Sequence, residues 1–215
     1  LNQYILSILD RFNMTDCRST PTPEACASPS DAAQDHDFAL LDRADVRLYQ
    51  EITGALLFCS TTCRPDISHA VNMLSRRMAV PRGCDLRTAR RVLRYLRGTP
   101  RLGLLFKVET DPYHPHLHAY SDADWASDPE HRYSTSGSII FFNGSPISWS
   151  SKRQQIVALS STESEYIALC STTTEVCYLR SLAAFMHMAS LDPTIVYEDN
   201  QGAICLVENP VHHQR

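Results

Sequence analysis

The sequence predicts an α/β domain built on a mixed sheet, in which three antiparallel strands are followed by a crossover helix and a parallel strand, with a mainly α-helical region in front. Three observations carry that expectation. Asn143-Gly144 lies between two apolar, β-prone runs, S-I-I-F-F and P-I-S-W-S, and is the strongest short-range hairpin signal a sequence offers. A long apolar stripe at helical spacing follows from about 161 to 187. Between 46 and 98 the periodicity is helical instead, and the charge differs as well: residues 1–107 hold 15 Lys+Arg against 11 Asp+Glu, residues 108–215 only 5 against 13.

In order, residues 19–45 mix Pro, Ser, Ala and Asp without periodicity and read as an exposed loop or mobile linker. Helices are expected near 46–62, near 66–79 after Arg64-Pro65-Asp66, and near 85–98, where Gly98 and Pro100 stop the last one. Alternation over His116–Asp122 gives strand one, and the Asn143-Gly144 hairpin joins strands two and three. The long helix opens with Ser160 as N-cap and Glu163 three residues on as a capping box, with Ala168, Leu169, Val176, Leu179 and Ala183 on its stripe. T-I-V-Y-E-D-N then reads as a short strand and Q-G-A-I-C-L-V as a short helix. The order β-β-β-α-β-α divides the chain at about residue 107, into 1–107 and 108–215.

At 215 residues, 43% of them apolar, the chain can bury a core in one or two domains. No segment approaches the roughly 18 uninterrupted apolar residues of a membrane span, so no membrane partner is expected. The start, L-N-Q-Y-I-L, lacks both Met and a signal-peptide pattern and reads as cut from something longer. The eight cysteines form no Cys-x-x-Cys pair and no zinc framework, which places the chain in a reducing, intracellular compartment.

The helix near 85–98 combines an apolar stripe, Leu86, Ala89, Leu93 and Leu96, with Arg87, Arg90, Arg91, Arg94 and Arg97 on its remaining surface. Between 76 and 101 there are nine Arg and a single acid, Asp85. A merely solvated helix interleaves Glu for i,i+4 pairing, and this one does not. Contact with a nucleic-acid phosphate backbone is the expectation.

The opening of the second half, A-Y-S-D-A-D-W-A-S-D, crowds Asp122, Asp124 and Asp128 at the end of a strand. With strand one pointing up, the meander starts the long helix at the top and returns strand four upward. The end of strand one with Asp122, the first turns of the helix with Glu163 and Glu165, and the end of strand four with Asp199 then meet at one sheet edge, provided strand four lies beside strand one. Glu165 shares the register of Ala168, Leu169, Val176 and Leu179, while Glu163 has a capping job, so Glu165 is chosen. A carboxylate on a buried stripe without Lys or Arg three or four residues away needs a compensating cation. Oxygen-only ligands suit Mg²⁺ or Mn²⁺, and two such ions about 4 Å apart suit phosphodiester chemistry. Asp124 shares a strand face with Asp122 and is a further candidate ligand.

Each acid also has a plainer reading. Asp199 before Asn200 can cap a helix, Glu163 caps one, and Asp128 beside Pro129 is a turn residue. Convergence of three at one edge is what capping does not require. H-P-H-L-H at 114–118 reads as a loop entering strand one, and Trp125 and Trp149 as core or rim aromatics.

Y-S-D-A-D-W-A, S-T-S-G, P-I-S-W-S-S-K-R-Q, A-L-S-S-T-E-S-E-Y-I-A-L and E-D-N-Q-G-A-I together resemble the ribonuclease H domain of copia-type retrotransposon polyproteins. Y-I-L-S-I-L-D-R-F-N-M, Y-Q-E-I-T-G-A-L-L-F, T-C-R-P-D-I-S-H-A-V and R-V-L-R-Y-L-R-G-T resemble the region between polymerase palm and ribonuclease H, a thumb or connection. The resemblance implies a ribonuclease H-like sheet and cleavage of the RNA strand of RNA–DNA hybrids with two divalent ions. It carries over to Asp122, Glu165 (in Glu165-Tyr166-Ile167-Ala168) and Asp199. It also implies a last strand, a final helix and a fourth aspartate beyond H-H-Q-R, so that the domain is C-terminally truncated, and polymerase aspartates upstream of Leu1, so that this chain alone does not synthesise DNA. Implied partners are the hybrid and the rest of the Pol polyprotein, polymerase and integrase, in a cytoplasmic virus-like particle or the nucleus. Two rivals are a non-catalytic relic or connection module that binds nucleic acid or a partner protein, and an integrase-like strand transferase, for which Glu208 beside Asn209-Pro210 is a poor third acid.

Overall fold

A computed structural model describes residues 2–24, 39–106, 117–128, 130–188 and 193–209. The chain divides into two compact units, Leu1–Leu104 and Leu105–Arg215.

The first unit is helical: α1 (Asn2–Arg11), α2 (Arg43–Thr62), a 3₁₀ turn (Pro65–Ile67), α3 (Ser68–Ser75) and α4 (Gly83–Gly98). Helix α1 was not expected from periodicity; it forms because Ile5, Ile8 and Leu9 fall on one face and are buried in the unit. Helix α2 begins at Arg43, inside the stretch expected as linker, because the Asp42 side chain accepts the Asp45 N–H at 2.8 Å and caps it. Residues 25–38 of that stretch lie outside the described residues. Tyr49, Ile52, Leu56, Leu74, Val92, Leu93 and Leu96 join α1 in one core, each such side chain contributing roughly 1.5–3 kcal/mol on burial.

A charged residue closes this core. Arg64, wholly buried, donates through Nε and Nη2 to Asp66, and through Nη1 and Nη2 to the carbonyl and hydroxyl of Thr99 at the end of α4. Its guanidinium also lies over the Tyr95 ring, whose hydroxyl donates to the same Asp66 carboxylate at 2.8 Å. Each partner restores part of what the charge loses on leaving water.

The second unit holds β1 (Leu117–Asp124), β2 (Thr135–Phe142), β3 (Ser145–Arg153), α5 (Ser161–Phe185), β4 (Ile195–Tyr197) and α6 (Gln201–Glu208). The sheet runs β3-β2-β1-β4, antiparallel except for the parallel β1–β4 pair, so strand four does lie beside strand one. The β2–β3 turn places Asn143 and Gly144 at φ 47° and 71°, the left-handed pair a tight right-twisted hairpin needs. Helix α5 packs on β1 through small residues, Ser164, Ala168 and Thr172, with Val176 meeting Ala119 and Ile140. Its later residues are open: Tyr178 and Phe185 are 62% and 82% exposed, and Ala183, expected on the buried stripe, is only half-buried. His118 is the second residue of β1, buried and stacked on Phe141, rather than part of an entering loop. Trp125 is a rim residue whose indole donates to the Ala158 carbonyl, and Asp128 is the expected turn residue, accepting the Glu130 and His131 N–H groups.

Candidate metal centre

Parallel register brings two of the acids together. Tyr120 of β1 pairs with Tyr197 of β4, so two residues further on Asp122 and Asp199 reach the same level of the sheet. The third comes from α5. Ser160 caps it by accepting the Glu163 N–H at 3.1 Å, and the Glu163 carboxylate reaches back to the Leu159 N–H at 2.7 Å, one residue beyond the expected capping-box partner. Glu163 is thereby occupied, and Glu165 is carried onto the face against β1.

One carboxylate oxygen from each of Asp122, Glu165 and Asp199 falls within 4.8 Å of the others. Asp122 and Asp199 are exposed, whereas Glu165 is 7% exposed. Glu165 accepts the Ala123 backbone N–H, while its Oε2 is buried without a hydrogen-bond partner. Burial, reinforced by the negative charges of Glu198, Asp122 and Asp199, pushes its carboxyl up to about 7. All-oxygen donors, one of them buried and unsatisfied, fit a hard divalent cation better than a proton shared among like charges.

The surrounding groups fix this geometry. Gln154, the residue just after β3, donates through Nε2 to the Ser164 carbonyl at 2.8 Å and to Ser136 Oγ at 3.0 Å, tying the first turn of α5 to the antiparallel strands. Asn200 caps α6 by accepting the Ala203 N–H at 3.0 Å, which holds Asp199 just ahead of the helix.

Two residues stand apart from the expectation. Asp124 is the last residue of β1, exposed and outside the group of three. Two strand residues carry it about 7 Å past Asp122, where the chain turns away through Ala126 at φ 52°. Glu198 was not singled out, yet it belongs to this electrostatic cluster: burial raises its carboxyl, its Oε1 accepts the Asn200 N–H, and its Oε2 is buried and unpartnered. It lines a groove with Leu169, Val196 and Ile204. The signal was its adjacency to Asp199 in E-D-N.

In the helical unit the arginines of α4 divide by use. Arg87, Arg90 and Arg97 are exposed, Arg91 and Arg94 half-buried. Arg91 donates to Thr22 Oγ1 at 3.0 Å and Arg97 to the Thr15 carbonyl, so these two hold residues 15–22 against the helix.

No family model matches the chain, and no solved structure matches it. The chain is 41% identical over 213 residues to the retrovirus-related Pol polyprotein from transposon RE1 of Arabidopsis thaliana, covering 99% of this chain and 14% of that protein. It is 35% identical over 220 residues to the retrovirus-related Pol polyprotein from transposon TNT 1-94 of Nicotiana tabacum, covering 99% of this chain and 16% of that one. A third relative, secreted RxLR effector protein 161 of Plasmopara viticola, is 44% identical over 131 residues, 61% of this chain and 90% of its own length. Among the described residues no helix is long and apolar enough to cross a membrane. The relatives at 35–41% identity along 99% of this chain are copia-type, retrovirus-related transposon Pol polyproteins, and the chain spans about one seventh of their length.

Proposed function

We propose that the second unit is a ribonuclease H-like domain that hydrolyses the RNA strand of RNA–DNA hybrids, and that the first is the thumb or connection region of the same reverse transcriptase. The supporting observation is the meeting of Asp122, Glu165 and Asp199, from β1, α5 and the β4–α6 junction, with the buried Glu165 Oε2 left without a hydrogen-bond partner. Asp122, Glu165 and Asp199 would hold divalent ions, two Mg²⁺ or Mn²⁺, the aspartates being the exposed donors and Glu165 the buried one, which would also orient the attacking water. Bound there, such ions lower the pKa of water and stabilise the leaving oxygen of a phosphodiester. Burial of Glu165 excludes bulk water from one side of the site, and Gln154 keeps its helical turn in place.

The exposed arginines of α4, Arg87 and Arg90 foremost, grip the phosphate backbone, and 2′-hydroxyls mark the RNA strand. The remainder of the Pol polyprotein is the natural partner, inside the cell, in a cytoplasmic virus-like particle or the nucleus. A cleavage assay on a labelled RNA–DNA hybrid in Mg²⁺ tests this reading. Wild type should cut the RNA strand and Asp122→Asn should lose at least about a hundredfold in rate. Equal, absent cleavage by both would assign the unit to a non-catalytic binding module instead.

A further inference from the structure

We infer that Gly202 and Thr162 form a spacer that sets the separation of Asp199 from Glu165; this rests on the reading of the acids as a cation site. Gly202 is the second residue of α6 and Thr162 the second of α5. A Cβ at Gly202 would lie 2.8 Å from Thr162 Oγ1, 3.0 Å from Thr162 Cγ2 and 3.1 Å from Asn200 Oδ1. The backbone at Gly202 does not need glycine, since Gly144 is the glycine with positive φ among the described residues. In a helix glycine costs roughly 1 kcal/mol relative to alanine, so what recommends it here is the close approach.

The geometry transmits that approach to the acids. Thr162 precedes Glu165 by three residues on α5, and Gly202 follows Asp199 by three across the α6 cap, so each spacer residue lies one turn from a carboxylate. Thr162 Oγ1 donates to Asn200 Oδ1 at 3.4 Å, the oxygen that also accepts the Ala203 N–H, while the Asn200 N–H donates to Glu198 Oε1 at 3.2 Å. The two helix starts are therefore joined side chain to side chain at the level of the site. A methyl at 202 has to push them apart by several tenths of an ångström, because the atoms it meets belong to a short β-branched side chain and a capping amide rather than to a flexible chain end.

Calorimetric titration of the 215-residue protein with Mg²⁺ alone, with thermal melts alongside, tests the spacer. Gly202→Ala should weaken Mg²⁺ binding by about tenfold, as loss of an outer support of a metal site does. Thr162→Ala removes the two nearest of the three atoms that the new methyl would meet, leaving Asn200 Oδ1 at 3.1 Å, so Gly202→Ala/Thr162→Ala should recover to within about twofold of Thr162→Ala alone, the coupling a double-mutant cycle measures. A purely structural contact would lower the melting temperature and leave Mg²⁺ affinity unchanged, which overturns the proposal, as does a double variant that folds without recovering affinity. Should Gly202→Ala alone not fold, the double variant decides by the same criterion. Wild type and Asp122→Asn binding Mg²⁺ alike would remove the cation site and the spacer together, whereas wild type binding more tightly than Asp122→Asn but equally to Gly202→Ala removes the spacer only.

Discussion

Arg64 of the helical unit and Glu165 of the α/β unit are both buried charged side chains, and their surroundings treat them in opposite ways. Arg64 of the helical unit is wholly enclosed, but a carboxylate, a carbonyl, a hydroxyl and an aromatic ring surround it. Glu165 of the α/β unit is nearly as enclosed, accepts a backbone N–H, and otherwise faces Glu198, Asp122 and Asp199, all of its own sign. A buried ion with its partners in place is architecture; one whose strongest neighbours repel it is held for something the fold does not itself supply. The cores differ in the same sense. Among the described residues, eighteen buried ones knit the helices together, while the buried cluster under the sheet is Ala119, Ile140 and Val176.

Opposite responses to neutralising the two charges would sharpen this contrast most. Arg64→Ala should destabilise the helical unit by about 3–5 kcal/mol in chemical denaturation, because Asp66 loses its partner and α4 its C-terminal tie. Glu165→Gln should instead stabilise the Mg²⁺-free protein by about 1–3 kcal/mol at pH 8, while eliminating its stabilisation by Mg²⁺. A destabilised Glu165→Gln would place that carboxylate with Arg64 as a structural ion.

The pH dependence separates the units next. Glu165 keeps its proton up to about 7 in the folded state and loses it near its ordinary 4.5 once unfolded. Folding takes up a proton between those values, so this group makes stability fall as pH rises from about 4.5 to 7. Melting curves across that window should show the decline without Mg²⁺ and a smaller one with it. A decline that persists in Glu165→Gln would assign it to another group.

The smallest effects belong to α4. Arg90→Gln should weaken binding to hybrids of any sequence and reduce the slope of log affinity against log salt by about 1. Arg97→Gln should lose local stability as well, since Arg97 holds the Thr15 carbonyl. Equal salt slopes for wild type and Arg90→Gln would take the phosphate contact away from this face.

What could be read beforehand follows the range of each interaction. The hairpin was legible because Asn143-Gly144 is a local instruction, and the β-β-β-α-β-α order because the apolar period changes from 3.6 to 2 and back. Helix α1 was not, because ten residues carrying three buried side chains gain their stability from packing rather than pattern. Asp122, Glu165 and Asp199 could be placed at one edge from connectivity, with strand four beside strand one, and helical register together with the capping role of Glu163 set Glu165 apart. That Asp124 falls outside the group of three was not legible, because strand alternation says which face a residue takes, and not where the strand stops. Gln154, Gly202 and Arg64 act across 10, 40 and 35 residues of chain, on Ser164, Thr162 and Thr99, and nothing local distinguishes them.

The cation site itself is tested most directly by crystals of the protein grown or soaked with Mn²⁺, with diffraction collected at a wavelength where manganese scatters anomalously. An anomalous peak bounded by carboxylate oxygens of Asp122, Glu165 and Asp199, and missing from Asp122→Asn crystals, is the expected result. Ordered side chains at all three positions with no peak between them, at Mn²⁺ concentrations that load other sites in the lattice, would contradict it.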